Sequence, residues 1–240
     1  MTPDDREPRT GPVLAVFAHP DDAEIAAGGT LMKWAAAGRQ VHLLVLTNGD
    51  RGSQDRALDR AELAATRLRE TEAAAEAMGL ASVRVGAIPD GELENTTHVR
   101  EPVVRLIREV RAETVVTLDP TAVFFENRYY NHSDHRTAGW VALDASFPGS
   151  GNPHFFAEHL HEGLEPQDVV DVWLSWTTEP NHHEDITGFL PRKVEALARH
   201  ESQLTEGIRF FEEFLEKDAV ESGARIGVEH AEPFRVLDLS

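Results

Sequence analysis

Two short stretches hold the residue types best suited to chemistry. The first is His19-Pro20-Asp21-Asp22-Ala23-Glu24. An imidazole and a carboxylate three positions apart, His19 and Asp22, can converge on one cation around a turn into a helix, which leaves Asp21 to handle a proton. A plainer use exists: an Asp pair ahead of a helix is a routine N-cap, and Glu24 would complement the helix dipole. Capping accounts for one carboxylate and leaves His19 and the second Asp without a task. The second stretch is His132-Ser133-Asp134-His135. Histidines at i and i+3 lie on one side of a helical turn and can face one point, although surface histidines also pair by chance. Together the two stretches offer His, Asp and His with no thiolate. Three such ligands leave a coordination position open to water, as in catalytic zinc sites. Two neutral imidazoles and one carboxylate leave a dication with net positive charge, which draws the water pKa toward ~7. The spare Asp and the spare His would then supply a base and a group that stabilises the tetrahedral intermediate. A third cluster, Asn181-His182-His183-Glu184-Asp185, reads as a second metal site, a loop lining the pocket, or a surface turn.

These residues need elements to position them. Val13-Leu14-Ala15-Val16-Phe17-Ala18 is apolar at every position and stops at His19-Pro20, the signature of a strand buried on both faces. Ligands in open parallel sheets bind outside the carboxyl ends of the strands, where the first cluster falls. Ile25 to Ala37 continues as a helix closed by Gly38, with Gly28 and Gly29 allowing close approach to the sheet. Val41 to Leu46 is a second buried strand, Arg60 to Met78 a helix ending at Gly79, and Val83 to Ile88 a strand before the turn Pro89-Asp90-Gly91. Val99 to Arg111 reads as an amphipathic helix and Thr114 to Leu118 as a buried strand. An irregular stretch follows to Asn131, a helix begins near Ser133, Val169 to Trp176 is a late strand, and Leu190 to Gln203 a late helix. The alternation predicts an α/β fold, a doubly wound, mostly parallel sheet with helices on both faces. Residues 1–10 are expected to be a disordered tail and residues 11–240 one domain, with no repeat and no linker.

Composition removes other chemistries. The formal charge of −19 repels phosphate backbones and anionic lipid, so nucleic acid and membrane are poor partners. The absence of cysteine excludes disulfides, zinc-thiolate sites and thiol nucleophiles. Gly28-Gly29 is no GxGxxG fingerprint, and no GxSxG elbow occurs. With no apolar leader and no membrane-spanning stretch, a cytoplasmic location is the default.

The segment AHPDDAEIAAGGTL resembles the opening motif of the LmbE-like, or PIG-L, family of zinc de-N-acetylases, and HSDHRTAG resembles their second motif, with Ser133 where Pro is usual. TNGDRGS, LRETEAAAEAMG, the Pro89-Asp90-Gly91 turn and DITGFLPRKVEALARHESQ extend the likeness over roughly Val13 to Leu204. The resemblance implies a Rossmann-like fold with one zinc per chain held by His19, Asp22 and His135, though iron and other divalent ions accept the same ligands. It implies Asp21 as general base and His132 facing the oxyanion. Asp134 would orient His132 from behind and favour its charged form. By position Arg67, Asp90 and Tyr130 resemble substrate-binding residues. The substrate expected is a small, neutral N-acyl sugar, an N-acetylglucosaminide above all, with a larger N-acyl conjugate or a metal-retaining binding protein as alternatives. A homo-oligomer is compatible with this reading.

Overall fold

A computed structural model describes residues 9–205 and 207–240. Positions 1–8 of the expected tail lie outside the described residues. Nine strands and seven α-helices follow in the order β1 (Val13–Phe17), α1 (Asp22–Ala36), β2 (Val41–Thr47), α2 (Arg60–Met78), β3 (Ser82–Ile88), α3 (Thr97–Val110) and β4 (Thr114–Leu118). Then come β5 (Phe124–Phe125), β6 (Tyr129–Tyr130), α4 (Ser133–Asp144), a kinked segment over Ala145–Ser150 that is extended at Phe147, and α5 (Glu158–His161). The chain closes with β7 (Asp171–Ser175), β8 (His182–Asp185), α6 (Leu190–Leu197), a 3-10 turn over Glu201–Gln203, α7 (Ile208–Ile226) and β9 (Ala231–Asp238).

Seven strands form one sheet in the order β3-β2-β1-β4-β7-β9-β8, and β5 pairs with β6 as a separate hairpin. The first five run parallel, as their continuous apolar runs require, while β9 lies antiparallel to β7 and to β8. Every residue of β1 is fully buried, the expected fate of a central parallel strand. The helices fall into two packs: α1 with α2 and α6, and α6 with α7, against α3 with α4 and the kinked segment after it. The chain therefore leaves β1 toward one face and β4 toward the other. Between these neighbouring strands the sheet has its topological switch point, where open α/β sheets bind ligands.

Local signals explain the boundaries. Asp59 caps α2, its carboxylate accepting the amides of Ala61 at 2.8 Å and Glu62 at 3.0 Å, and Gly79 ends the helix at φ 75°. The late helix expected through Gln203 instead stops at Leu197 and resumes as a 3-10 turn. The glycine pair in α1 serves a different neighbour from the one expected. A Cβ at Gly29 would meet Ile186 and one at Gly28 would meet Lys193, so the close approach is to the segment around α6. Helix α7 and strand β9 carry no motif and were not anticipated. The Asn181–Asp185 cluster is mostly edge strand: His182 pairs with Glu184 at 3.0 Å, and Lys33 with Glu184 at 2.8 Å. Among the described residues its side chains assemble no metal-ligand set.

Candidate metal centre

His19 stands just beyond β1, Asp22 at the first turn of α1, and His135 in the first turn of α4. The strand fixes the first, and Gly139 fixes the last. A Cβ there would collide with the Leu118 carbonyl oxygen and crowd Pro120, so only glycine lets α4 lie on the end of β4. His135, four residues earlier on the same helix face, is thereby carried over β1.

The three side chains converge. His135 Nε2 lies 3.1 Å from His19 Nδ1 and 3.1 Å from Asp22 Oδ1, and His19 Nδ1 lies 3.5 Å from Asp22 Oδ2. A tetrahedral ion with bonds of ~2.0–2.1 Å sets its neighbouring ligands roughly 3.3 Å apart, and the two edges that meet at His135 Nε2, each 3.1 Å, lie near that value. All three residues are at most 9% exposed. Nitrogen and oxygen donors aimed at one buried point repel one another unless a cation lies among them, so the set fits a divalent ion. Without metal a proton takes that part. Burial opposes charge on His19, yet hydrogen bonding to Asp134, Asp22 and Asp90 pushes its pKa up to about 12. Burial likewise opposes charge on Asp22, but His135 and His19 hold its carboxyl well below the usual range.

Asp21 occupies the N-cap position of α1 but makes no side-chain cap bond. It is Asp22 that reaches back, accepting the His19 amide at 2.8 Å. That bond ties Asp22 back to the strand end and caps no amide of the helix, so neither carboxylate serves as an N-cap and Asp21 is left beside the centre. Its backbone is left-handed, φ 100°. Burial raises its pKa to about 6 against the opposing charge of Arg67, a value suited to a base at neutral pH.

Arg67, expected to meet substrate, is 3% exposed. It donates to Gly49 O at 3.0 Å and to Pro20 O at 2.5 Å, and stands 3.2 Å from Asp21 Oδ2. Those contacts make it a brace for Asp21. Gly49 and Gly52 make room for its guanidinium, which a Cβ at either would strike.

Asp90 and Asp134 stand behind His19, their nearer oxygens 3.1 Å and 3.4 Å from its Nε2. The expectation that Asp134 backs His132 is therefore met only in part. Its carboxylate accepts the Gly91 amide at 2.7 Å, and the link to His132 is its own amide, which donates to His132 Nδ1 at 3.2 Å. Burial and the neighbouring His19 hold His132 below the ordinary histidine pKa, and a nearby dication acts in the same direction. With Nδ1 accepting the Asp134 amide, Nε2 is the nitrogen left to carry a proton, 4.0 Å from Asp90 Oδ1. Asp90 is held by Asp50, whose Oδ1 accepts its amide at 3.0 Å. Asp50 in turn pairs with Arg60. Hydrogen bonding to His19 lowers the Asp90 pKa, keeping it an acceptor.

Tyr130 is 72% exposed. Its neighbour Tyr129 is 51% exposed, and partial burial raises its pKa. Sequence reasoning passed over Asn131, whose Oδ1 meets His135 Nδ1 at 2.9 Å, and Trp176, whose ring lies 5.3 Å from that of His135. Neither has a motif of its own; adjacency to the second cluster was the signal for Asn131.

Comparisons with known proteins agree with this geometry. The sequence model of the family described as "PIG-L: GlcNAc-PI de-N-acetylase" matches residues 14–146. A diacetylchitobiose deacetylase of Thermococcus kodakarensis is 35% identical over 227 residues, covering 94% of this chain and 82% of that protein. A 1D-myo-inositol 2-acetamido-2-deoxy-alpha-D-glucopyranoside deacetylase of Rhodococcus erythropolis is 31% identical, covering 80% of this chain and 81% of its own. The solved N,N'-diacetylchitobiose deacetylase of Pyrococcus horikoshii, in complex with its inhibitor MPG, superposes with a TM-score of 0.87 at 32% identity, over 95% of this chain and 84% of that one. The metal-ligand geometry at the sheet's switch point and the match over most of the chain lead to one conclusion: the protein belongs to the PIG-L family of de-N-acetylases.

Proposed function

We propose that this chain is a metal-dependent N-deacetylase that releases acetate from the N-acetylglucosamine unit of a small, neutral saccharide. The observation that carries the reading is the buried convergence of His19, Asp22 and His135 beside an uncapped Asp21. The all-nitrogen and oxygen donor set favours zinc, and iron and other divalent ions suit the same ligands. When bound, the ion supplies Lewis acidity to water and to the amide carbonyl. Asp21 takes the proton of the attacking water, with Arg67 holding its carboxylate in place. His132, half-buried beside the centre, offers its Nε2–H as a hydrogen-bond donor to the oxygen that becomes anionic as the carbonyl is attacked. The proton on Asp21 then passes to the departing amine. Asp134 and Asp90 keep the His19 ring turned toward Asp22.

Substrate class follows from charge. Carboxylates crowd the centre and the whole chain carries −19, which disfavours polyanions. A hydroxyl-rich ring gives these acceptors something to bind, and the Thermococcus and Rhodococcus relatives are named for diacetylchitobiose and for a 2-acetamido-2-deoxy-glucopyranoside. We read residues 11–240 as one catalytic domain, supported by the single sheet that both β1 and β9 enter. No helix of the described residues is long and apolar enough to cross a membrane.

The test is a panel of N-acetylglucosamine, its glycosides, N,N'-diacetylchitobiose and a bulkier N-acyl analogue, with free amine measured in each. The expected result is amine and acetate from the acetylated saccharides, abolished by a chelator and restored by zinc. Amine from the bulkier analogue alone would make the protein an amidase of larger conjugates. No amine from any substrate at full metal occupancy would refute catalysis.

A further inference from the structure

We propose that Asn131 is a positioning residue for the metal centre. It fixes the tautomer of His135, so that Nε2 always presents a lone pair to the ion, and it does so by locking its own amide against the neighbouring hairpin. The proposal rests on the metal-dependent reading above. Asn131 is fully buried. Its amide nitrogen Nδ2 donates to Ala122 O at 3.0 Å, and its backbone N–H donates to Val123 O at 2.8 Å. With Nδ2 committed to a carbonyl, the side-chain atom left facing His135 Nδ1 at 2.9 Å is the oxygen. An oxygen there can only accept, so His135 Nδ1 carries a proton, and in the neutral ring that can ligate an ion Nε2 carries none. The backbone oxygen of Asn131 is taken by the Arg136 guanidinium. Every polar group of the residue thus has one partner, and none is free to flip the amide.

The consequence is energetic. A neutral imidazole without a fixed partner divides its proton between two nitrogens, and the tautomer with a proton on Nε2 cannot bind the ion. A hydrogen-bond acceptor behind a ligating histidine also raises its basicity, and loss of such a partner typically weakens metal binding by 10–100-fold. Asn131 ends the hairpin formed by β5 and β6, so the same residue ties the position of that hairpin to the metal ligand.

Two substitutions separate this role from simple packing. Asn131→Leu keeps the volume and removes both hydrogen bonds. Asn131→Asp keeps an acceptor for His135 Nδ1 but loses the donor to Ala122 O. The measurement is zinc affinity by chelator competition, with thermal unfolding of each metal-free variant recorded alongside. The Leu variant is expected to bind zinc about 10–100-fold more weakly, and the Asp variant within a few fold of wild type, even where its melting temperature falls. Equal loss of affinity in both variants, or unchanged affinity in Asn131→Leu, would overturn the proposal. A wild-type chain that takes up no divalent ion fails the metal reading, whereas uptake that is indifferent to Asn131→Leu fails this one alone.

Discussion

Asp21 stands where an L-residue is strained. Its φ of 100° and ψ of −22° are left-handed, a conformation costing of order 1–3 kcal/mol outside glycine and least for Asn and Asp. The Arg67 bonds to Pro20 O and Asp21 hold the strained turn closed. Asn accepts the same backbone and removes a charge that burial disfavours. Asp21→Asn should therefore keep the metal and the melting temperature while turnover drops by about 10²-fold or more; wild-type turnover would place the base elsewhere. The wild-type profile of kcat/KM should rise with pH through about 6, where Asp21 ionises, and Asp21→Asn should lose that limb. The sign for stability is opposite. The folded state binds this proton more tightly than the unfolded chain, so the contribution is full below the unfolded value of 3.8 and is lost as pH rises through about 6.

At the scale of elements, the centre depends on how close α4 lies to β4. Gly139 has no room for a Cβ against the Leu118 carbonyl oxygen, and that oxygen is backbone and cannot yield. Gly139→Ala should push the helix outward, costing roughly 1–3 kcal/mol. Because His135 lies one turn away on the same face, zinc affinity should fall with stability. Unfolding and zinc titration of the variant check this, and wild-type affinity would show that the centre tolerates the shift. The hairpin before α4 was irregular to sequence reading for a physical reason. Its strands, Phe124–Phe125 and Tyr129–Tyr130, are two residues each, too short for alternation to register.

Across the whole molecule, the C-terminal strand is bound to the first helix by one carboxylate. Glu232 on β9 accepts the amides of Gly29 at 2.9 Å and Thr30 at 2.8 Å, and pairs with Lys193 of α6 at 2.6 Å. Glu232 and Lys193 are 2% and 3% exposed, so removing one partner leaves a buried, uncompensated charge, a loss of about 3–5 kcal/mol. Glu232→Ala should lower the melting temperature by roughly 6–20 °C at this chain length, whereas Glu232→Gln, which can still accept, should lower it less. Equal effects would mean that charge is not what joins these elements.

The cluster of His19, Asp22 and His135, with Asp21 beside it, was legible in the sequence because each residue lies at a boundary that local rules define: a wholly apolar strand ending at His19, and histidines at i and i+3 where a helix begins. The parallel strands through β4 and helix α2 were legible for the same reason, since their signals span only neighbouring residues. What the sequence could not decide is which partner each polar group takes across the fold. Arg67 turned inward beside Asp21, the Asp134 carboxylate went to His19 and Gly91, His132 Nδ1 took the Asp134 amide, and Asn131 became the residue behind His135. Those outcomes depend on burial and on groups up to 116 positions apart, as His19 and His135 are. Helix α7 and strand β9 were hidden likewise, because what holds β9 to α1 is a carboxylate 202 and 203 residues from the amides it meets. Spacing sets what neighbours along the chain can do, and packing sets which distant groups are left to do it with.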